Sequence, residues 1–243
     1  MIKGIYSSAS GMLPRILKQE TFANNMANVN TPGFKKDGVF LQVLDKATQK
    51  EIITDYPWEV PMIDDIYIDF SQGDLEKTDI DTNFAIDGDG FFAVQTASGI
   101  MYTRSGDFSL SPQGILVDKN GNPVLTDSGP LTIQADSFMV SDDGTVTINE
   151  FAAGRIRVVD FEKPYQLKKA GDSYLVPGDP SVLERPSSDY RIRQGYLEKS
   201  NVNVVEVMVD MLSSFRAYEA GQKAIQSQDE TLDKAVNDLG RSA

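Results

Sequence analysis

From Val204 to Leu239 the apolar residues fall at Val204, Met208, Met211, Phe215, Tyr218, Ile225, Leu232, Val236 and Leu239. The steps alternate four and three, and only Gln222 and Asp229 interrupt the stripe. A period of about 3.5 residues held for about five heptads predicts one long helix whose seam needs another helix against it. A weaker stripe opens the chain at Ile5, Ala9, Met12, Ile16, Ala23 and Met26, with Gln19 in the gap. Residues 3 to 28 therefore read as helical, and Pro14 is expected to kink that helix or to begin a new one. Asn203 is placed to cap the C-terminal helix, Glu206 to complete a capping box, and Gly240-Arg241 to stop it.

Between these stripes the period shortens. The first helix closes on an Asn-rich stretch (Asn24, Asn25, Asn28, Asn30), and Thr31-Pro32-Gly33 then predicts a type II turn, with Pro and Gly central. Tyr56-Pro57-Trp58 and Val60-Pro61 exclude helix, and Ile66 to Phe70 alternates like a strand. The clearest strand runs are Phe84 to Ile86, Phe91 to Val94, Ile115 to Val117, Val146 to Ile148 and Ile156 to Val159. Asp87-Gly88-Asp89-Gly90 reads as a hairpin turn, and Ser98-Gly99, Lys119 to Pro123 and Asp142-Asp143-Gly144 punctuate the rest. Such spacing predicts an antiparallel β domain. The expected fold is α+β: long N- and C-terminal helices packing as a coiled-coil-like rod, with a central antiparallel β-rich domain. The divisions are an N-terminal helix and turn at 1–34, an extended linker at 35–80, the β-rich domain at 81–195 and the C-terminal helix at 196–243.

Composition narrows the function classes. The chain has 243 residues, room for one large domain or a medium one with an extension. Its net charge of −13 argues against binding a nucleic-acid backbone or an anionic bilayer. Eleven acids and one base, Lys77, lie between Asp55 and Asp89, and they read as solvated surface. The absence of Cys and His removes disulfides, zinc fingers, thiol nucleophiles and imidazole-based triads. No stretch approaches the apolar length of a membrane span, and no apolar leader core precedes Pro14, so neither membrane insertion nor a cleaved leader is expected.

Two motifs fail on inspection. Gly88-Asp-Gly90-Phe-Phe-Ala93 matches a loose dinucleotide fingerprint, but a strand follows it where a helix is needed. Asp79, Asp81 and Asn83 begin an EF-hand spacing, but Phe84 stands where Gly must turn the loop and Gly90 where a bidentate Glu is needed. No cofactor or metal is expected. A carboxylate-pair hydrolase has no pair to single out among 36 acids.

Three segments together resemble a known family. Asn24-Asn25-Met26-Ala27-Asn28-Val29-Asn30-Thr31-Pro32-Gly33-Phe34-Lys35 is similar to the motif near the N-terminus of bacterial flagellar rod and hook proteins. Gly88-Asp89-Gly90-Phe91-Phe92, with Tyr102-Thr103-Arg104-Ser105-Gly106-Asp107-Phe108, resembles that family's β-domain core. Ser200-Asn201-Val202-Asn203, Arg216-Ala217-Tyr218-Glu219-Ala220 and Gln228-Asp229-Glu230 resemble its C-terminal motif. Each match is modest, but they occur in the family's order and frame the whole chain. The closing Leu232 to Arg241 and the short length look most like a rod protein of the basal body, with the distal rod protein the near alternative.

The resemblance implies a structural, non-enzymatic subunit of a helical axial shaft crossing the periplasm, needed to carry torque from motor to hook. It implies export through the flagellar type III apparatus, and partners that are copies of the chain and other rod proteins. Its site residues are those of assembly: Asn24, Asn25, Asn28, Asn30, Thr31, Pro32, Gly33 and Phe34 at the turn; Gly88, Gly90, Phe91, Phe92, Arg104 and Gly106 in the β domain; Met208, Met211, Phe215, Tyr218, Ile225 and Leu232 on the seam. Pro14 departs from the family pattern. A different reading of the same pattern is a β-domain binding module dimerised by its coiled coil.

Overall fold

The computed structural model describes residues 2–43, 61–133, 137–149, 151–171, 173–187 and 189–241. Tyr56-Pro57-Trp58 and Val60 lie outside them, as do the side chains of Ile5, Ala9, Val236 and Leu239. The architecture is α+β, a β-rich body with a C-terminal helix. The chain divides into two compact units, each built from discontinuous segments.

The first unit takes residues 1–27, 37–69 and 203–243. Helix α1, Ile2–Ala27, contains Pro14, which is buried, and no second helix begins there. Helix α2 is Val204–Arg241. Its start is fixed by Asn203, whose side-chain oxygen accepts from the amides of Val205 (3.0 Å) and Glu206 (3.2 Å). Ser214 donates to the Arg15 carbonyl at 3.3 Å, and Gly221 faces the Met12 side chain. Strands Asp37–Val43 and Pro61–Ile68 pair antiparallel, with a register shift between Phe40 and Leu41. The strand expected at Ile66 to Phe70 thus begins earlier and ends at Ile68. Asn25 ties the end of α1 to this pair. Its amide nitrogen donates to the Asp37 carbonyl (2.8 Å) and its oxygen accepts from the Asp37 amide (2.9 Å).

The second unit takes residues 28–36 and 70–202. Its largest sheet is antiparallel, in the order Leu167–Lys169, Tyr174–Pro177, Gly99–Thr103, Phe91–Thr96, Val158–Asp160, Arg185–Pro186. Phe84–Gly88 pairs with Tyr190–Gln194, and Leu75–Lys77 with Tyr196–Glu198. Two of the apolar runs seen in the sequence, Phe84 to Ile86 and Phe91 to Val94, are strands buried on both faces. Phe84, Ala85, Ile86, Phe92, Ala93 and Val94 expose no surface, which is why they read as continuous runs and not as alternation. Phe84, Ile86, Phe92, Phe108, Leu116, Val124, Val146, Ile156 and Ile192 share one core cluster, and Phe92 meets Phe108 edge-on at 5.3 Å. Burying each large side chain contributes about 1.5–3 kcal/mol.

Gly88 to Gly90 is not the hairpin turn the sequence suggested. The strands on either side belong to different sheets, so the segment is a corner. The chain needs Gly there because Gly88 has φ of 110° and a Cβ would lie 2.5 Å from the Asp189 carbonyl oxygen.

Candidate functional site

Residues Thr31 to Phe34 form a four-residue turn closed by the Phe34 amide donating to the Thr31 carbonyl at 3.2 Å. Pro32 sets the first central position, and Gly33 takes φ of 69° at the second, as a type II turn requires. The turn brings Gly33 against the backbone of Arg104 and Ser105, where a Cβ would lie 2.2 Å from the Ser105 nitrogen. The Gly33 amide donates to the Glu198 carbonyl at 2.7 Å. Three segments distant in sequence therefore touch at one glycine. They are the turn after α1, the Tyr102 to Phe108 segment, and the strand that precedes the Ser200-Asn201-Val202-Asn203 motif.

Around that contact lies a cluster of buried charges. Lys35 Nζ donates to Glu198 Oε1 at 2.6 Å, and Arg104 Nη1 to Glu198 Oε2 at 3.2 Å. The three side chains are 2%, 4% and 0% exposed for Lys35, Arg104 and Glu198. One carboxylate faces two cations. Backbone carbonyls add to the pairing: Lys35 also donates to Ser71 O (2.7 Å), and Arg104 to Gly88 O (2.8 Å) and Ile86 O (3.4 Å). Arg104 further stacks over the Phe91 ring at 5.3 Å. Glu198 Oε1 accepts a second bond from the Gly73 amide at 3.0 Å. In a buried site such pairing is required, because each ion's desolvation costs several kcal/mol.

An outer layer holds the same segments. Asn201 accepts from the Lys36 amide at 2.7 Å and donates to Ser71 O at 3.1 Å. Lys169 donates to the Lys35 carbonyl at 2.6 Å and lies over the Phe34 ring at 3.9 Å. The arrangement has the chemistry of a clamp: it fixes two passages of chain, residues 28–36 and 196–202, side by side within the β-rich unit.

Of the residues marked in the sequence, the clamp gathers Gly33, Phe34, Gly88, Phe91 and Arg104. Phe92 lies in the core behind it, and Gly106 accepts from the Phe84 amide at 3.0 Å. Thr31 and Asn28 stabilise the turn, the Thr31 hydroxyl meeting Asn28 Oδ1 at 3.3 Å. Pro32 is half-buried within it, Asn25 works in the other unit, and Asn24 and Asn30 are exposed. On α2, Met208, Met211 and Phe215 are exposed, whereas Tyr218, Ile225 and Leu232 are half-buried. Sequence reasoning did not select Glu198, Lys35, Asn201 or Lys169. Lys35 lay inside a recognised motif and Glu198 two residues before another, and that adjacency was the only signal.

Among the described residues no group of three acidic side chains is arranged to hold a metal, and no helix is long and apolar enough to cross a membrane. What these features define is a class of chain, with a helix at each end and a β-rich body clamped where the chain enters and leaves it.

Family models match in the same places. That for the flagella basal body rod protein covers residues 5–35, that for the flagellar hook protein FlgE/F/G D1 domain residues 85–148, and that for the flagellar basal body rod FlgEFG protein C-terminal residues 193–239. The flagellar basal-body rod protein FlgF of Caulobacter vibrioides is 34% identical, over 99% of this chain and 99% of its own. The flagellar hook-basal body complex protein FlhO of Bacillus subtilis is 33% identical, over 99% of this chain and 100% of its own. FlgG, the flagellar basal-body rod protein of Borreliella burgdorferi, is 32% identical, over 98% of each. The chain belongs to the flagellar basal-body rod protein family.

Proposed function

We propose that the chain is a structural, non-enzymatic subunit of the flagellar basal-body rod that polymerises into a helical shaft and carries torque. Its partners are copies of itself and neighbouring rod proteins, reached through the flagellar export apparatus. In this reading α1 and α2 pack as a coiled-coil-like axial core, residues 1–34 and 196–243. Residues 35–80 serve as linker and 81–195 as outer domain. Among family members the chain is the counterpart of the relatives named FlgF, on the strength of its closing segment and short length. FlgG is the alternative.

The observation that carries the proposal is the first half of α2. Val205, Met208, Val209, Leu212 and Phe215 are 71%, 57%, 61%, 51% and 49% exposed, at the three- and four-residue spacing of one helix face. A contiguous apolar face of this kind marks an interaction surface. Open helical assembly needs such heterologous surfaces. Phe215→Asp tests it. The side chain is half exposed, so the fold survives, while a charge placed in a packed subunit contact costs several kcal/mol. The expected outcome is secreted protein at normal level, no rods in basal-body preparations and no swarming on soft agar. Full motility would refute the reading. A dimerised binding module would instead give a defined dimer in dilute solution, where a rod subunit stays monomeric.

A further inference from the structure

We propose that Asn201 locks the points where the chain enters and leaves the β-rich unit, so that tension arriving along the chain is borne there before it reaches the core. The chain passes from one unit to the other four times, at 27/28, 36/37, 69/70 and 202/203. Asn201 stands beside the last of these passages, and its side chain reaches two more. Its Oδ1 accepts from the Lys36 amide at 2.7 Å, and its Nδ2 donates to Ser71 O and to Ser71 Oγ, each at 3.1 Å. Its own amide donates to Phe34 O at 3.4 Å. The passage at 27/28 is held through the turn, where Asn28 O accepts from the Thr31 amide at 3.1 Å and the Gly33 amide donates to Glu198 O at 2.7 Å. The chain following 69/70 is pressed against the same segment, since a Cβ on Gly73 would lie 2.0 Å from Lys199 O.

An amide meets both demands made of this side chain. Asn offers donors and an acceptor together, whereas Asp offers acceptors alone and would set a carboxylate against the Ser71 carbonyl. The backbone contacts pair 33 with 198 and 34 with 201, so the two passages run in the same sense. Tension on the entry of one and the exit of the other draws them lengthwise past each other. The bonds are then loaded together, not one after another. Along the chain, residues 30 and 205 are separated by the whole β-rich body, but through these contacts they lie a few residues apart. The proposal deepens the rod reading, under which the chain carries torque, yet it concerns a single chain and is tested without assembly.

Single-molecule force spectroscopy on the full chain tests it, and the absence of native Cys lets handles be placed at will. Asn30→Cys with Val205→Cys loads the locked passages. Gln113→Cys with Ser181→Cys, both exposed, loads the β-rich body elsewhere. Asn201 is half-buried and outside the core cluster, so Asn201→Asp and Asn201→Ala both keep the core. Asn201→Asp should lower the rupture force at the first handle pair about twofold, because forced unfolding reads the barrier to opening. The second pair should change far less. Asn201→Ala, which brings no charge, should show the same contrast. An unchanged force at the first pair would overturn the proposal. So would an equal proportional loss at both pairs, which would mark Asn201 as a contributor to overall stability only. A fully motile Phe215→Asp strain would refute the rod reading and leave these results untouched.

Discussion

Glu198 exposes no surface and answers two buried cations. Replacing its charge while keeping its shape isolates what that charge contributes. Glu198→Gln is expected to lower the unfolding free energy by about 3–5 kcal/mol, the usual cost of leaving buried ions unmatched, measured by urea denaturation. Gly33 presents a steric version of the same dependence. Gly33→Val forces a β-branched residue to positive φ, at about 1–2 kcal/mol, and adds a clash with the Ser105 backbone. Lys36→Ala, three residues on, keeps the backbone amide that donates to Asn201, so its cost stays within about 0.5 kcal/mol. Equal denaturation midpoints for the two variants would show that the turn is not what holds this segment. Gly33 was legible in the sequence because Pro-Gly is local turn chemistry. Glu198 was not, since its place two residues before the Ser200-Asn201-Val202-Asn203 motif was all that marked it among the 36 acids.

At the scale of elements, α2 shows how a correct period leaves its faces undecided. The sequence stripe runs through Met208, Met211 and Phe215, yet Val207 and Ser214 are the buried positions in that half. From Val204 to Leu212 only Glu206 and Asp210 are not apolar, so the helix has more than one apolar face. A helix apolar nearly all round needs neighbours on several sides. One chain covers the Val207 face and leaves the Met208 face open. The expectation that follows is that amides from Met208 to Phe215 gain hydrogen-exchange protection on polymerisation and have little in dilute monomer. Strong protection there in the monomer would mean that the open face is not the assembly surface. The helix start is a smaller and more local matter. Asn203→Ala removes the acceptor for the Val205 and Glu206 amides and is expected to cost about 1 kcal/mol, seen as faster exchange confined to those two amides.

For the whole molecule, alkaline pH probes the β-rich unit through its tyrosines. Burial, and then a bond to a carboxylate, raises Tyr102 (Glu184), Tyr165 (Asp160) and Tyr174 (Asp118) above the ordinary phenol value. A raised pKa means that the fold favours the neutral phenol. The stabilisation is therefore complete below the unfolded pKa of about 10 and is lost as pH rises toward the folded values. Titration followed by ultraviolet absorbance should show these three failing to ionise near pH 10 and ionising together with unfolding at higher pH. Independent ionisation at the ordinary value, with the fold intact, would contradict their buried, carboxylate-bonded placement.

What the sequence by itself determined was everything with a local cause. Helical period, the Pro-Gly turn, the Asn cap and the apolar strand runs each follow from residues within a few positions of one another. So did family membership, because its motifs are short and ordered. Tertiary structure alone decided which strands pair and which charges meet. Gly88 to Gly90 has the composition of a hairpin turn, but the pairing of Phe84–Gly88 with Tyr190–Gln194 makes it a corner. Lys35, Arg104 and Glu198 are ordinary charges in the sequence. They become a clamp only because the fold carries them out of water together, and burial makes each depend on the others.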